Sequence, residues 1–381
     1  MSDVPMTQAP VLFQELATID GHAVGVAQLN APKSVNALSL DMIRLLDRQL
    51  RAWQENPAIA CVVLHGAGEK AFCAGGDVRS LYRAIQEQGA SATNAAALAF
   101  FSEEYRLDYR IHTFGKPVIV WASGIVMGGG MGLMAGASHR IVTETSRIAM
   151  PEITIGLFPD VGGSGFLRRM PARTGLFVAL TAASLNAADA KAAALADHFL
   201  AVSQFDAMCQ RLQSARWQSE AERDRAMVSE ILSTLAASAK VPLPVSNLQR
   251  HAAVIDAMCA GADLAEIVGR IRQCDSADEW LQRAAKSLAA GSPTTAALIW
   301  ELRQRASSLS LADVFRMELT VAMQCCAHPD FPEGVRALLI EKDGKPRWTP
   351  ARLEDVSTSW VAGHFIEPDW PSGHHPLHDL A

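Results

Sequence analysis

Residues 124–165 read GIVMGGGMGLMAGASHRIVTETSRIAMPEITIGLFPDVGGSG, and the rest of the chain is organised around them. Glycines cluster at Gly128, Gly129, Gly130 and Gly132, and again at Gly162, Gly163 and Gly165. Between the clusters lie Glu152, preceded by Pro151, and Asp160, preceded by Pro159. Glycine clusters let backbone N–H groups approach a ligand with no side chain in the way. Carboxylates held near such donors are the raw material of acid–base or nucleophilic chemistry. Taken singly, either cluster also reads as a tight turn. Glu152 or Asp160 also reads as an acid capping backbone or making an Asx turn.

A third stretch, Ala74-Gly75-Gly76-Asp77, has the same design, which weakens the turn-only reading. Each of the three is a strand, a glycine-containing turn and a helix start. A helix N-terminus presents unpaired N–H groups and the positive end of the dipole. Two such termini aimed at one oxygen make an oxyanion hole, where losing a donor costs about 3–4 kcal/mol of barrier. Acyl transfer from a thioester needs such a device, because negative charge gathers on the carbonyl oxygen.

Working outward, residues 10 to 30 alternate apolar and polar around Gly21-His22 and predict a β-hairpin. A helix follows over LDMIRLLDRQLRAWQ, with Asn36 or Ser39 as its N-cap. ACVVLHGAG is a short buried strand, VRSLYRAIQEQ a helix with Asp77 near its start, and NAAALAFFSEEYRLDYRIHTF a long helix. KPVIVWASG is a strand and HRIVTETSRIAM gives two short ones. SGFLRRMPARTGLFVALTAASLNAADAKAAALADHFL reads as a helix–turn–helix pattern. To about residue 200 strands and helices alternate, which predicts an α/β layered core. From 203 to about 320 the pattern is helical, broken at Pro242, Pro244, Gly291 and Pro293. Residues 331–350 have an apolar centre and a turn at Asp343-Gly344. The end, EPDWPSGHHPLHDLA, reads as a loose tail. The expected domains are a core over 11–200, a helical C-terminal region over 201–355 covering the site, and a tail over 356–381.

Composition narrows the function classes. The net charge is −6 with no basic stripe, which argues against nucleic acid as a partner. No apolar run reaches the roughly 18 residues of a membrane span. MSDVPMTQAPVLFQEL has no basic or apolar leader pattern, so it does not read as a secretory signal. The 7 cysteines are scattered without a CxxC pair, and fit reduced thiols in a cytoplasmic protein. Among rival motifs, Gly130-Met131-Gly132-Leu133-Met134-Ala135 fits a loose dinucleotide fingerprint but stands outside a first βαβ unit. No P-loop is present. Ser164 lacks the final glycine of a serine-hydrolase elbow, because Phe166 stands there. His374, His375 and His378 read as solvated tail residues rather than metal ligands.

FCAGGDV at 72–78, GIVMGGGMGL at 124–133 and AMPEITIGLFPDVGG at 149–163 together resemble the crotonase (enoyl-CoA hydratase/isomerase) superfamily. Further segments resemble its 3-hydroxyisobutyryl-CoA hydrolase branch, the thioesterases of valine breakdown. They are FFSEEYRLDY at 100–109, SPTTAALI at 292–299, FRMELTVAMQ at 315–324 and DFPEGVRALLIEKDGKPRWTP at 330–350. The resemblance spans roughly residues 11 to 350. It implies an α/β crotonase-like core of repeated ββα units with a helical C-terminal region. It implies that Gly76 and Gly129 supply the oxyanion-hole N–H groups, that Glu152 and Asp160 are the catalytic acids, and that Glu104 lines the acyl pocket. Substrate contacts then fall to Glu104, Gly129, Glu152 and Asp160, and contacts to CoA to Lys33, Asn36, Ala37 and Ala74. It implies an acyl-CoA substrate, no metal, and no cofactor beyond the CoA of the substrate. Homo-oligomers are common in the superfamily.

One departure is informative. Hydratases of the superfamily carry two catalytic glutamates, one just after the triple glycine and one at the Glu152 position. Here Gly132 occupies the first position, and Asp160 stands where hydratases commonly have glycine. Hydration needs groups poised at both the α and β carbons, so this change favours hydrolysis at the carbonyl. The expected activity is hydrolysis of a short branched β-hydroxyacyl-CoA such as 3-hydroxyisobutyryl-CoA. Glu152 acts either as nucleophile or as general base. The alternatives are an enoyl-CoA hydratase or isomerase, and an acyl-CoA-binding protein without turnover.

Overall fold

The computed structural model describes residues 9–381. The leader reading therefore rests largely on residues 1–8, outside the described residues. Strands β1 (Val11–Ala17) and β2 (Ala23–Leu29) pair antiparallel, with Val11 opposite Leu29 and Ala17 opposite Ala23. Gly21 turns the hairpin at φ 91°, a conformation glycine takes without a Cβ penalty. Helix α1 (Leu40–Glu55) is capped by Ser39, whose side chain accepts from the Met42 N–H. Strand β3 (Ile59–Gly66) and the short β4 (Ala71–Cys73) follow. Asp77 caps α2 (Val78–Gln88), and α3 (Ala95–His112) is the long helix expected from its apolar spacing. Then come β5 (Val118–Ala122), β6 (Ile125–Met127), α4 (Gly129–Ala135), β7 (His139–Val142) and β8 (Arg147–Ala149).

The stretch expected as helix–turn–helix is instead three short helices, α5 (Gly163–Arg168), α6 (Thr174–Thr181) and α7 (Ala187–Ala192), and a strand, β9 (His198–Phe199). Two residues are too few to carry a period of two, so nothing local marks β9. Its pairing with β7 makes it a strand. Helices α8 (Phe205–Gln213), α9 (Ala221–Ala237), α10 (Asn247–Arg250), α11 (Ala252–Met258) and α12 (Leu264–Arg272) continue the chain. They are followed by α13 (Glu279–Ala290), α14 (Pro293–Arg305), α15 (Leu311–Ala327), α16 (Asp330–Val335) and α17 (Thr358–Gly363). Pro293 sits at the first turn of α14, where its missing N–H costs nothing, behind the Ser292 cap.

Contacts divide the chain into two compact units. One holds the described residues up to Gly76 with 110–148 and 185–246; the other holds 77–109, 149–184 and 247–381. The first carries a six-stranded sheet in the order β1-β2-β3-β5-β7-β9, parallel from β2 onward. Val24, Val63, Ile119 and Ile141 of that sheet share a core with Met208 and Leu212 of α8 and Val228 and Leu232 of α9. Each such side chain contributes roughly 1.5–3 kcal/mol on full burial. A smaller sheet, β4-β6-β8, carries the glycine turns at its strand ends.

The second unit is mainly helical. Two glycines close its packing: a Cβ on Gly156 would stand 2.3 Å from the Asp330 carbonyl oxygen, and one on Gly334 within 2.4 Å of the Ile155 backbone. The C-terminal residues, expected as a loose tail, are docked. Arg106 donates to both carboxylate oxygens of Asp379 at 2.8 Å, and Arg316 Nε donates to the Leu377 carbonyl at 3.0 Å. Leu377 is fully buried, and the His375 ring pairs with the Arg316 carbonyl at 3.1 Å. Arginine forks that satisfy backbone carbonyls, with one apolar anchor, hold a segment that has no regular structure to announce it. Among the described residues, no helix is long and apolar enough to cross a membrane.

Candidate active site

In the first unit, the loop at 32–38 and the turn at 74–76 that follows β4 are knitted together by backbone. The Leu38 N–H donates to the Gly75 carbonyl at 2.8 Å and the Ala74 N–H to the Val35 carbonyl at 3.1 Å. Asn36 is fully buried, and its side chain is spent within these loops. Its amide donates to the Ala67 and Ala71 carbonyls at 3.0 and 2.9 Å, while its oxygen accepts from the Ala31 N–H at 2.9 Å. Asn36 therefore shapes the loop that carries Ala37 and the exposed Lys33, and it is not the cap of α1.

The two glycine turns lie side by side. Gly75 has φ 101°, and a Cβ there would stand 3.2 Å from the Met127 carbonyl oxygen. A Cβ on Gly130 would stand only 2.4 Å from the Cys73 carbonyl oxygen, so glycine is what lets α4 start against the end of β4. Gly129 is the first residue of α4, and its N–H has no acceptor within the helix. Gly76 sits in a bridge with Leu38 at the end of the neighbouring turn. The structure thus brings the turns of Gly76 and Gly129 together.

In the second unit, three separate stretches contribute carboxyl groups. Glu152 opens a 3-10 turn (Glu152–Ile155) behind Pro151 and is 4% exposed; its Oε2 has no partner. Asp160, also 4% exposed, accepts from the Tyr105 hydroxyl at 2.7 Å through Oδ2. Its carbonyl accepts from the Gly163 N–H at 2.7 Å. Glu104 and Asp108 lie one turn apart on α3, both buried; Oε1 of Glu104 and both carboxyl oxygens of Asp108 lack partners. Glu318 of α15 is fully buried and accepts from the Gly162 and Ser164 N–H groups at 2.7 and 2.8 Å. Tyr105 packs between Phe101 and Phe315, with ring centroids 5.9 and 5.8 Å away, so the acids are flanked by apolar surface.

Burial is the first cause of the acidity here. It pushes the Glu152 carboxyl well above the usual carboxylate range, helped by the neighbouring Asp160 and Glu104 charges. It raises Glu104, with Asp160 adding to the effect, and Asp108, with Glu104, Asp160 and Glu318 adding. It lifts Asp160 only to about 6, because the Tyr105 hydroxyl favours the ionised form. Glu318 rises to about 8 against the pull of its N–H donors. Five carboxyls of this set are therefore raised together. Asp160 is thus the group of this set that Tyr105 equips to ionise near neutrality.

Sequence reading missed Tyr105, Asp108 and Glu318. A signal was present: Phe101, Glu104, Tyr105 and Asp108 fall at i, i+3, i+4 and i+7, as do Phe315, Glu318, Leu319 and Ala322. Acids on an otherwise apolar helical stripe face the core, not solvent. The same spacing places Glu104 on the buried side of α3, where it is 2% exposed.

A family model described as enoyl-CoA hydratase/isomerase matches residues 24–365. The chain belongs to that family. Its curated relatives include a Danio rerio protein named 3-hydroxyisobutyryl-CoA hydrolase, mitochondrial. That protein is 38% identical over 360 residues, covering 94% of this chain and 90% of its own. The Homo sapiens protein of the same name is 35% identical over 342 residues, covering 90% and 86%. Two solved family structures superpose with a TM-score of 0.80. One, named an enoyl-CoA hydratase from Rhodobacter sphaeroides, is 33% identical and covers 94% of this chain and 98% of its own. The other, named a carnitinyl-CoA dehydratase from Mycobacterium thermoresistibile, is 34% identical and covers 95% and 98%. The fold is thus the α/β crotonase type, as expected. The cytoplasmic placement is corrected, because these hydrolase relatives are named as mitochondrial. Free thiols separate a reducing compartment from an oxidising one but do not separate two reducing compartments.

Proposed function

We propose that the protein hydrolyses a short branched β-hydroxyacyl-CoA, with 3-hydroxyisobutyryl-CoA as substrate and 3-hydroxyisobutyrate and CoA as products, a step of valine breakdown. The observation that carries this is the acid set. Glu152 and Asp160 are buried together with Glu104, while the second hydratase glutamate is replaced by Gly132. The hydrolase names of the relatives from Danio rerio and Homo sapiens support the same reading.

In this scheme the thioester carbonyl oxygen accepts from the N–H groups of Gly76 and Gly129. Glu152, ionised at that moment, takes a proton from water as the water oxygen adds to the carbonyl carbon. The tetrahedral oxyanion collapses, the C–S bond breaks, and the proton on Glu152 passes to the departing sulfur. The acid product and free thiol leave, and Glu152 is again ionised. A raised pKa makes Glu152 a stronger base than an ordinary carboxylate. Asp160, ionised near neutrality and held by Tyr105, accepts from the substrate hydroxyl or orients the water. Direct attack by Glu152, giving a mixed anhydride, uses the same groups. In single turnover in ¹⁸O-water, an unlabelled oxygen in the product from the enzyme identifies an anhydride opened at the Glu152 carbonyl, whereas direct attack by water always labels the product. Lys33, Ala37 and Ala74 lie along the CoA, with Asn36 fixing their loops. The scheme needs no metal and no separate cofactor.

A second reading, hydration of an enoyl-CoA, is favoured by the names of the two solved structures. The test is thiol release from 3-hydroxyisobutyryl-CoA beside loss of enoyl absorbance with crotonyl-CoA. Thiol release without enoyl loss is expected; enoyl loss without thiol release overturns the hydrolase. Glu152→Gln should lower kcat by about 10²–10⁴-fold, the usual weight of a positioned acid–base group. Near-wild-type turnover by that variant would sink the scheme.

A further inference from the structure

The turn that carries Asp160 is in an unfavourable conformation. Val161 and Gly162, directly after it, have φ 53° and 85°. Val161 is β-branched and fully buried, and a left-handed β-branched residue is an outlier costing on the order of 1–3 kcal/mol. Such a turn persists only where its surroundings over-determine it. Two residues of one helix do so here. The ring of Phe315 stands 3.3 Å from where a Cβ on Gly162 would lie. One turn further along α15, Glu318 Oε2 accepts from the Gly162 N–H at 2.7 Å and Oε1 from the Ser164 N–H at 2.8 Å. Glu318 is fully buried, lies in the 315–324 segment to which the sequence attached no role for any one residue, and has no place in the hydrolytic scheme above.

We infer that Glu318 is a positioning residue for the hydrolysis, its two carboxyl oxygens fixing the backbone of the 160–164 turn so that Asp160 meets the substrate. Asp160 is then held from two sides. Tyr105 orients its carboxylate, and Glu318 orients the backbone that carries it. The inference rests on the function proposed above and adds to it the residue that acts through Asp160. Both N–H groups need an acceptor in the dry interior, and a carboxyl group is the side chain that offers two oxygens at this spacing.

The test is a double-mutant cycle in the full chain, Glu318→Gln against Asp160→Asn, with 3-hydroxyisobutyryl-CoA as substrate and thiol release as readout. Gln keeps the shape and one acceptor but turns an amide donor toward one of the two N–H groups. We expect Glu318→Gln to lower kcat by about 10- to 100-fold, the weight of a small misplacement at a reacting centre, with KM within about threefold. In the Asp160→Asn background the same change should cost less than about twofold, because the group it positions is already gone. A general structural role would instead give multiplying factors in the cycle. Multiplying factors overturn the inference, as does a fully active Glu318→Gln enzyme or an unimpaired Asp160→Asn enzyme. If Glu318→Gln does not fold, Gly162→Ala strains the same turn from the Phe315 side and should show the same lost effect in the Asp160→Asn background. Additivity there overturns the inference equally. Thiol release by wild type with an impaired Asp160→Asn enzyme and a silent Glu318→Gln enzyme removes Glu318 alone. No thiol release by wild type removes the hydrolase and the inference together.

Discussion

Asp108→Asn should make the protein more stable relative to wild type, and increasingly so as pH rises. The Asp108 carboxyl is fully buried and neither of its oxygens has a hydrogen-bond partner. Burial, then the charges of Glu104, Asp160 and Glu318, keep it protonated well beyond the usual carboxylate range. In the unfolded chain the same group ionises near pH 4. Between those limits the unfolded state holds fewer protons than the fold, so its contribution to stability falls by about 1.4 kcal/mol per pH unit. Its stabilising effect is complete below the unfolded pKa and is lost as pH climbs toward the folded one. That loss continues for as long as the folded group stays protonated, and asparagine, of nearly the same shape and with no proton to exchange, does not suffer it. At a little over ~1 °C of Tm per kcal/mol for a chain of 381 residues, the gap between variant and wild type should widen by about 2 °C per pH unit. Thermal melting of both proteins in a buffer series from about pH 5 to pH 8 measures it. A gap that stays constant with pH, or narrows, would refute the picture of an acid held neutral by its surroundings.

Tyr105→Phe removes the hydroxyl that favours ionised Asp160, whose carboxyl now titrates at about 6. The acid limb of kcat/KM, where activity falls as Asp160 and Glu152 take up protons, should move upward by about one pH unit. An unmoved limb would show that Asp160 does not govern it. Gly130→Ala places a Cβ 2.4 Å from the Cys73 carbonyl oxygen, a backbone atom that cannot swing away. A loss of about 1–3 kcal/mol in denaturant unfolding is expected, together with lower kcat from a displaced Gly129 N–H. A variant of unchanged stability and turnover would mean that the close approach of α4 to β4 is not needed.

What the sequence disclosed was what local chemistry marks. Gly21 announced its hairpin, and the glycines at 75–76 and 128–130 announced two tight turns that the fold sets side by side, because a missing Cβ is visible in one residue. Pro151 and Pro159 framed Glu152 and Asp160 in the same way. The family resemblance then gave these residues roles. What stayed hidden depends on distant partners. Glu318 gains its meaning from N–H groups 156 and 154 positions away, and Tyr105 from an acid 55 positions away. Asn36 looked like a helix cap because its type suits one; its actual acceptors, Ala67 and Ala71, flank the turn between β3 and β4 that only the fold brings near. β9 has two residues and exists through β7. The docked C-terminal residues are held by Arg106 and Arg316, neither of which differs in type from a solvated surface arginine.

The second unit is assembled from three stretches of chain, 77–109, 149–184 and 247–381, and each brings acids to it: Glu104 and Asp108, then Glu152 and Asp160, then Glu318. Glu318 and the other acids are buried together only in the assembled unit, so their raised pKa values require all three stretches. Contacts of such long sequence separation carry a loop-closure cost, so the expectation is that the abnormal acidity appears late in folding. A carboxyl titration followed through refolding would time the arrival of α15 directly, without any label and without substrate.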